Sequence, residues 1–347
     1  MPARRPSLVA ALVLASLALA GCSGSAPHKA APMRTPTHGP SPTASPTPTL
    51  AAPPAGGWLT GQPGPTGPVV AVKIDNAPSA RPLQHGLQAA QVVYEELVEG
   101  GTTRYMAMYV GPSDTDIGPV RSARDTDVEL LGEYGKVLFG FSGANRGVLA
   151  HIDAANLVPV PDERYDGAYT MRGRRVEAYN FYTTPRRLIA AAPAKATDLT
   201  DVGFRFGPAP AGGTPVTGRL VATFSSYTKN YLSWDAARGG WHVQVGSWLV
   251  QGTDGTSVAP ANILVQFVPL RAGRYVDVLG NNSPDSATIG SGRAVLLRDG
   301  NRYDGTWSRT GLTAPTSWTG ADGKPLTLKP GQTWILLVPQ TNDLVAG

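Results

Sequence analysis

The sequence predicts a mixed α/β fold of the α+β kind, with a first folded region over 58–205 and a β-rich second region over 215–347. Three observations predict it. In the first region, short β-branched runs alternate with helical stretches. In the second, seven short strand-like runs follow one another, separated by Gly, Asp, Asn and Pro. Hydrophobic residues make up 41% of the 347 positions, enough for a sizeable core, and the length fits two domains of about 150 residues.

What precedes residue 58 is not read as domain. Arg4 and Arg5 are followed by an uncharged, mostly apolar run over 7–19. This pattern predicts an export signal over 1–21. Leu19-Ala20-Gly21-Cys22 resembles the bacterial lipobox, in which the cysteine is cut free and lipidated. Cys22 is the only cysteine, so a disulfide framework and a cysteine zinc site are excluded. Two acyl chains, at about 0.8 kcal/mol per buried methylene, anchor a protein stably, so the membrane is the expected partner and the location is extracytoplasmic. Residues 22–57 form a Pro/Ser/Thr-rich tether that cannot bury enough apolar surface to order itself. In polyproline II form, at about 3.1 Å per residue, it reaches ~100 Å. Without Arg4 and Arg5 the chain carries 28 basic and 25 acidic residues. That balance gives no reason to expect nucleic acid.

The first region opens on a buried strand over 69–74 (VVAVKI), ended by the turn residues Asp75-Asn76-Ala77-Pro78. A short helix is expected over 82–90. The run VVYEELVEGGTTRYMAMYV over 92–110 reads as a hairpin turning at Gly100-Gly101. A two-residue turn sets Leu97 opposite Arg104, and alternation then gathers Glu95, Leu97, Glu99 and Arg104 on one face. One reading is a surface ion-pair cluster of little energetic worth. The other is a site, because charges in a strand that is apolar on both faces need partners. Gly118-Pro119 then breaks the chain, and Arg121, Ser122 and Arg124 precede a helix over 125–134. With Ser122 as cap, two arginines at a helix start suit an anion. The alternative is that they pair with nearby carboxylates.

A strand over 136–141 leads to Gly140-Phe141-Ser142-Gly143-Ala144, close to a nucleophile elbow but lacking its last glycine. Arg172, Arg174 and Arg175 lie among Tyr165, Tyr169, Tyr179 and Tyr182, either as a sugar-binding patch or as a packed loop. Thr184-Pro185 opens a helix through 192. Asp114-x-Asp116 and Asp125-x-Asp127-x-Glu129 lack the glycine and terminal glutamate of a calcium loop, and no metal or cofactor is expected. In the second region, six of the seven tryptophans are expected mainly as core, and Asp299-Gly300 and Asp322-Gly323 as hairpin turns.

Ile74-Asp75-Asn76, Val93-Tyr94-Glu95, Glu99-Gly100-Gly101, Thr103-Arg104 and the run 117–124 (IGPVRSAR) resemble the YerB-like lipoprotein family, also called DUF3048. Gly290-Ser291-Gly292, Asp299-Gly300, Gly305-Thr306-Trp307 and Gly331-Gln332-Thr333-Trp334 resemble its C-terminal domain. The resemblance covers about 58–347. It implies a three-layer α/β sandwich with an appended β-rich domain, in the bacterial envelope, and supplies no activity. Ser142 departs from the family pattern, where two glycines precede a serine. The expected site comprises Asp75, Asn76, Glu95, Arg104, Arg121, Ser122 and Arg124. It would bind an anionic or glycan component of the envelope. The enzymatic alternative is a glycan hydrolase using Asp75, Glu95 or Glu99, with Asp75 and Glu95 the better couple. The third reading is a scaffold that recruits an envelope protein. Oligomeric state is not legible.

Overall fold

The run VVAVKID folds as strand β1 (Val69–Asp75), buried along its whole length. The first region adds β2 (Val92–Leu97), β3 (Thr103–Val110), β4 (Val137–Phe141) and β5 (Leu157–Pro161). The second adds β6 (Asn262–Val268), β7 (Gly290–Arg298), β8 (Asn301–Arg309), β9 (Ser317–Gly320) and β10 (Thr333–Pro339). The computed structural model describes residues 53–173, 180–199, 201–276, 280 and 282–347. Cys22, the leader and the tether as far as residue 52 lie outside them, as do Arg174, Arg175 and Tyr179.

These strands form one sheet in the order β9-β8-β7-β6-β10-β2-β3-β1-β4-β5, with Thr214–Pro215 beside β8. β10 pairs in parallel with β6 on one side and β2 on the other, so both regions share the sheet. From the pairings, β1, β2, β4, β5, β6 and β10 all run the same way. Their carboxyl ends therefore lie along one edge, the place where open α/β sheets put their ligand crevices.

Side chains alternate across the sheet. Val69, Ala71, Tyr94 and Met106 face helices α1 (Asp125–Leu131) and α2 (Arg146–Ala154), whose Val128, Leu131, Val148 and Ile152 complete that core. Val70, Val72, Val93 and Tyr105 face the other way, onto α3 (Pro185–Ala191) and a second sheet. That second sheet has five strands, in the order Trp248–Leu249, Gly240–Val245, Lys229–Asp235, Arg219–Thr223 and Leu344–Ala346. Trp241, Trp307 and Trp334 have no exposed surface and serve as core. Truncating a side chain of that size costs about 3–5 kcal/mol.

Local rules account for most boundaries. Thr184 Oγ1 accepts from Arg187 N–H at 3.2 Å and caps α3, with Pro185 in its first turn. Asp299 (φ 51°) and Gly300 (φ 72°) make the two-residue turn between β7 and β8. The helix expected over 82–90 is instead two 3₁₀ turns, Arg81–Leu83 and Leu87–Ala89. Gly86 breaks it at φ 90°, where a Cβ would sit 2.9 Å from the Asp116 carbonyl oxygen. Ser122 does not cap α1; Arg124 stands at the cap, and its N–H donates to Asp127 Oδ2 at 2.7 Å.

The largest correction concerns the β2–β3 hairpin. Its loop has three residues, Glu99–Gly101, closed by Val98 N–H to the Thr102 carbonyl at 2.8 Å. Glu96, not Leu97, stands opposite Arg104, and Glu95 stands opposite Tyr105. A one-residue slip moves every side chain to the other face. Arg104 therefore shares a face with Asp75 and Glu96, away from Glu95.

Candidate functional site

The expected site residues separate into two groups, one on each face of the strand ends. On the helix face, Asp75 closes β1 opposite Arg104 of β3. Segment 119–123 runs beside them, held by Asp75 N–H to the Pro119 carbonyl at 3.0 Å and Arg121 N–H to the Lys73 carbonyl at 2.9 Å. This brings Arg121 Nε to 2.9 Å from Asp75 Oδ2, with the Arg121 side chain 31% exposed and that of Asp75 only 5%. Arg104 donates to the Ser122 carbonyl at 2.6 Å. Arg124 holds Glu99 by a charge-assisted hydrogen bond from Nη2 to Oε2 at 2.7 Å, with Nε 2.6 Å from Oε1. The Ser283 hydroxyl donates to the same carboxylate.

These charges act on one another. Burial and the neighbouring Arg124 and Arg121 charges push the Arg104 guanidinium down to about 9, against the pull of Asp75. Burial would raise Glu99, but Arg124 and Ser283 outweigh it and hold the carboxyl below its ordinary value. Asp162, which accepts from Gly143 N–H at 3.1 Å, is raised by burial and by the adjacent Glu163. A Cβ on Gly143 would lie 3.3 Å from Glu163 Oε1 and 4.0 Å from the Ser122 hydroxyl, so those two groups flank the same turn.

Deeper on the helix face, Lys73 donates to Glu96 and, at 2.5 Å, to Asp127. All three side chains have no exposed surface. Burial pushes the Lys73 ammonium down to about 8 against the attraction of Asp127. The sequence reading missed this triad, although one lysine inside VVAVKI was its signal.

On the other face, Glu95 is fully buried and accepts from the Thr103 hydroxyl at 2.7 Å and Asn76 Nδ2 at 3.2 Å. Asn230 of the second sheet donates to its other oxygen. Burial raises the Glu95 carboxyl to about 7, despite these donors and the Arg81 charge. Asp75 and Glu95, the better couple for a hydrolase, thus lie on opposite faces. Glu99 lies with Asp75's group but is engaged by Arg124. Nothing in the sequence pointed to Asn230, 135 positions away from its partner.

The strand-to-helix turn at Ser142 is present, with Gly143 at φ 67°. His85, His151 and His242 lie against Asp116, Asp125 and Asp235, and Ser142 bonds Asp162 instead. Arg172 pairs with Asp116 and covers the Tyr182 ring at 3.8 Å. Among the described residues, no group of three or more His, Cys, Asp or Glu could hold a metal ion. No described helix is long and apolar enough to cross a membrane.

A mainly parallel sheet centre, a second small sheet on one face and a charged cluster at the carboxyl strand ends define the class, and the comparisons agree with it. The chain belongs to the DUF3048 family: residues 58–198 match its N-terminal domain and 220–335 its C-terminal domain, both described as protein of unknown function. It is similar to "Putative lipoprotein YerB" of Bacillus subtilis (strain 168), at 27% identity over 276 residues, 78% of this chain and 81% of the relative. The crystal structure of YerB protein from Bacillus subtilis superposes with a TM-score of 0.65 at 22% identity, covering 83% of this chain and 96% of that one, and so shares its fold.

Proposed function

We propose that this chain is an extracytoplasmic lipoprotein, anchored in the bacterial membrane through Cys22, whose folded part binds a glycan or anionic component of the envelope at the carboxyl strand ends. Anchoring is supported by Leu19-Ala20-Gly21-Cys22 and by a relative with lipoprotein in its name. The three-layer arrangement belongs to the same reading, with α1 and α2 on one face of the main sheet and the small sheet on the other.

The observation that carries the binding reading is the Asp75–Arg121 pair at the rim, backed by Arg104 and Arg124. The Arg124 and Arg121 charges, close enough to depress the Arg104 guanidinium, are offset by a negative group. Carboxylates and hydroxyls interleaved with them match sugar hydroxyls, which both donate and accept. The scaffold reading draws on a different observation: Asp75, Glu99 and Arg124 are nearly buried, as architectural ion pairs are.

Arg121→Ala separates the two. In the binding reading it weakens association with teichoic-acid or peptidoglycan fragments tenfold or more, since a charge-assisted bond contributes about 1.5–3 kcal/mol. The melting temperature of the wild type should rise with those fragments. A large drop in melting temperature on substitution, with no fragment-induced rise in the wild type, leaves the arginines as architecture. For the anchor, Cys22→Ala should abolish incorporation of labelled palmitate; continued labelling would mean the lipid is carried elsewhere.

A further inference from the structure

A second polar recess lies along the same edge of the main sheet, where the small sheet meets it. One wall is the turn 225–228, the other the loop 339–342, and the space between is about 560 Å³, within the range of ligand sites. Both walls are fixed from behind. The Ser225 hydroxyl donates to the Gly101 carbonyl at 2.6 Å and accepts from the N–H groups of Tyr227 and Thr228, and the Thr228 hydroxyl donates to the same carbonyl at 2.8 Å. Asn342 Nδ2 donates to the Thr223 carbonyl at 2.7 Å, and Arg293 holds the Asn342 carbonyl at 3.0 Å. A wall held this way loses little freedom when a ligand arrives.

The lining has a definite chemistry. Hydroxyls come from Thr223, Ser226 and Thr341, an apolar floor from Phe224, Leu270 and Pro339, and the one charge from Lys229. No carboxylate lines the recess. Lys229 makes no ion pair among the described residues, whereas the arginines of the first cluster sit beside Asp75 and Glu99. Tyr227, in the same turn, is 81% exposed. Its ring rests against Gly101, where a Cβ would come within 2.9 Å of it. An aromatic ring that touches the backbone at one edge and is otherwise open offers a stacking platform for the apolar face of a sugar.

We infer that this groove is a binding site for a hydroxyl-rich chain carrying isolated negative charges, laid across Tyr227 with one acidic group on Lys229. The inference rests on the reading of this chain as an envelope binder and deepens it. Ser225 and Thr228 bond Gly101, two residues from the Glu99–Arg124 pair, so groove and first cluster are neighbours along one edge. Such an arrangement suits a polymer that contacts both, and a single sugar fills only one. The acidic group is a phosphodiester or a carboxylate, and the probes below distinguish them.

The test uses the full chain in detergent micelles with three polymers: poly(glycerol phosphate), polygalacturonate and dextran. At least one charged polymer should bind, and dextran at least tenfold more weakly. Lys229→Gln and Tyr227→Ala should each weaken that binding tenfold or more with unchanged Tm, because both side chains are exposed. Charged polymer binding both variants as it binds the wild type overturns the groove, as does failure of both charged polymers to bind the wild type. Equal affinity for dextran overturns the role of Lys229. Arg121→Ala keeps the two readings apart. If it alone loses binding, the first cluster stands without the groove; if only the groove variants lose it, the groove stands without the first cluster.

Discussion

Glu95 and Glu96 are adjacent in sequence and equally buried, yet they belong to different electrostatic worlds on the two faces of the sheet. Glu96 faces the helices and meets the Lys73 ammonium, which also holds Asp127. Glu95 faces the second sheet, and its hydrogen-bond partners are neutral: Asn76, Thr103 and Asn230. Burial raises a carboxyl wherever it occurs, and the partner decides how much of that rise survives. The helix face is therefore held by charge, and the opposite face by amides and hydroxyls around a carboxyl raised to about 7.

The largest test of this difference removes the charge. Lys73→Met leaves Glu96 and Asp127 buried without their cation and should lower stability by about 3–5 kcal/mol, read by denaturant unfolding at neutral pH. A loss under about 1 kcal/mol would mean that the helix face does not depend on the pair.

The next effect belongs to the other face. Glu95 has its folded value raised from 4.5 to about 7, so the folded state keeps a proton that the unfolded state has released. Its contribution to stability is full below 4.5 and is lost as pH rises toward 7, with a slope of at most about 1.4 kcal/mol per pH unit. Glu95→Gln should flatten that slope and be the more stable protein at pH 8, since Gln can donate to Asn230 Oδ1, a buried oxygen without a partner. An unchanged slope in the variant would place the titration elsewhere.

The smallest effect is expected at the rim. Arg121→Ala should cost no more than about 1 kcal/mol of stability, because its guanidinium is partly solvated and screened. A cost near that of Lys73→Met would move Arg121 from the rim into the framework.

Much of the fold was legible because it rests on local chemistry. The β-branched runs, the Thr184-Pro185 cap and the Asp299-Gly300 turn each act within a few residues. The site was legible in composition but not in arrangement. Gly100-Gly101 reads as a two-residue turn, yet Glu99 joins the loop as a 3₁₀ residue, and that one position exchanges Glu95 for Glu96 beside Arg104. Turn length fixes which face every side chain takes, so a small local error became a large error in the site. Asn230 and Ser283 were out of reach for a different reason: no local pattern ties a residue to a partner more than 130 positions away.

The position of β10 has a consequence for how the chain comes into being. Residues 333–339 are made after every other strand of the main sheet, yet they lie within it, between β6 and β2. A nascent chain that stops short of them exposes two raw edges where the finished protein has none. Open edges of that kind invite pairing with other chains. The two parts of the sheet are thus not joined until residues 333–339 have been made. A premature stop just before Thr333 should be as damaging as one far upstream.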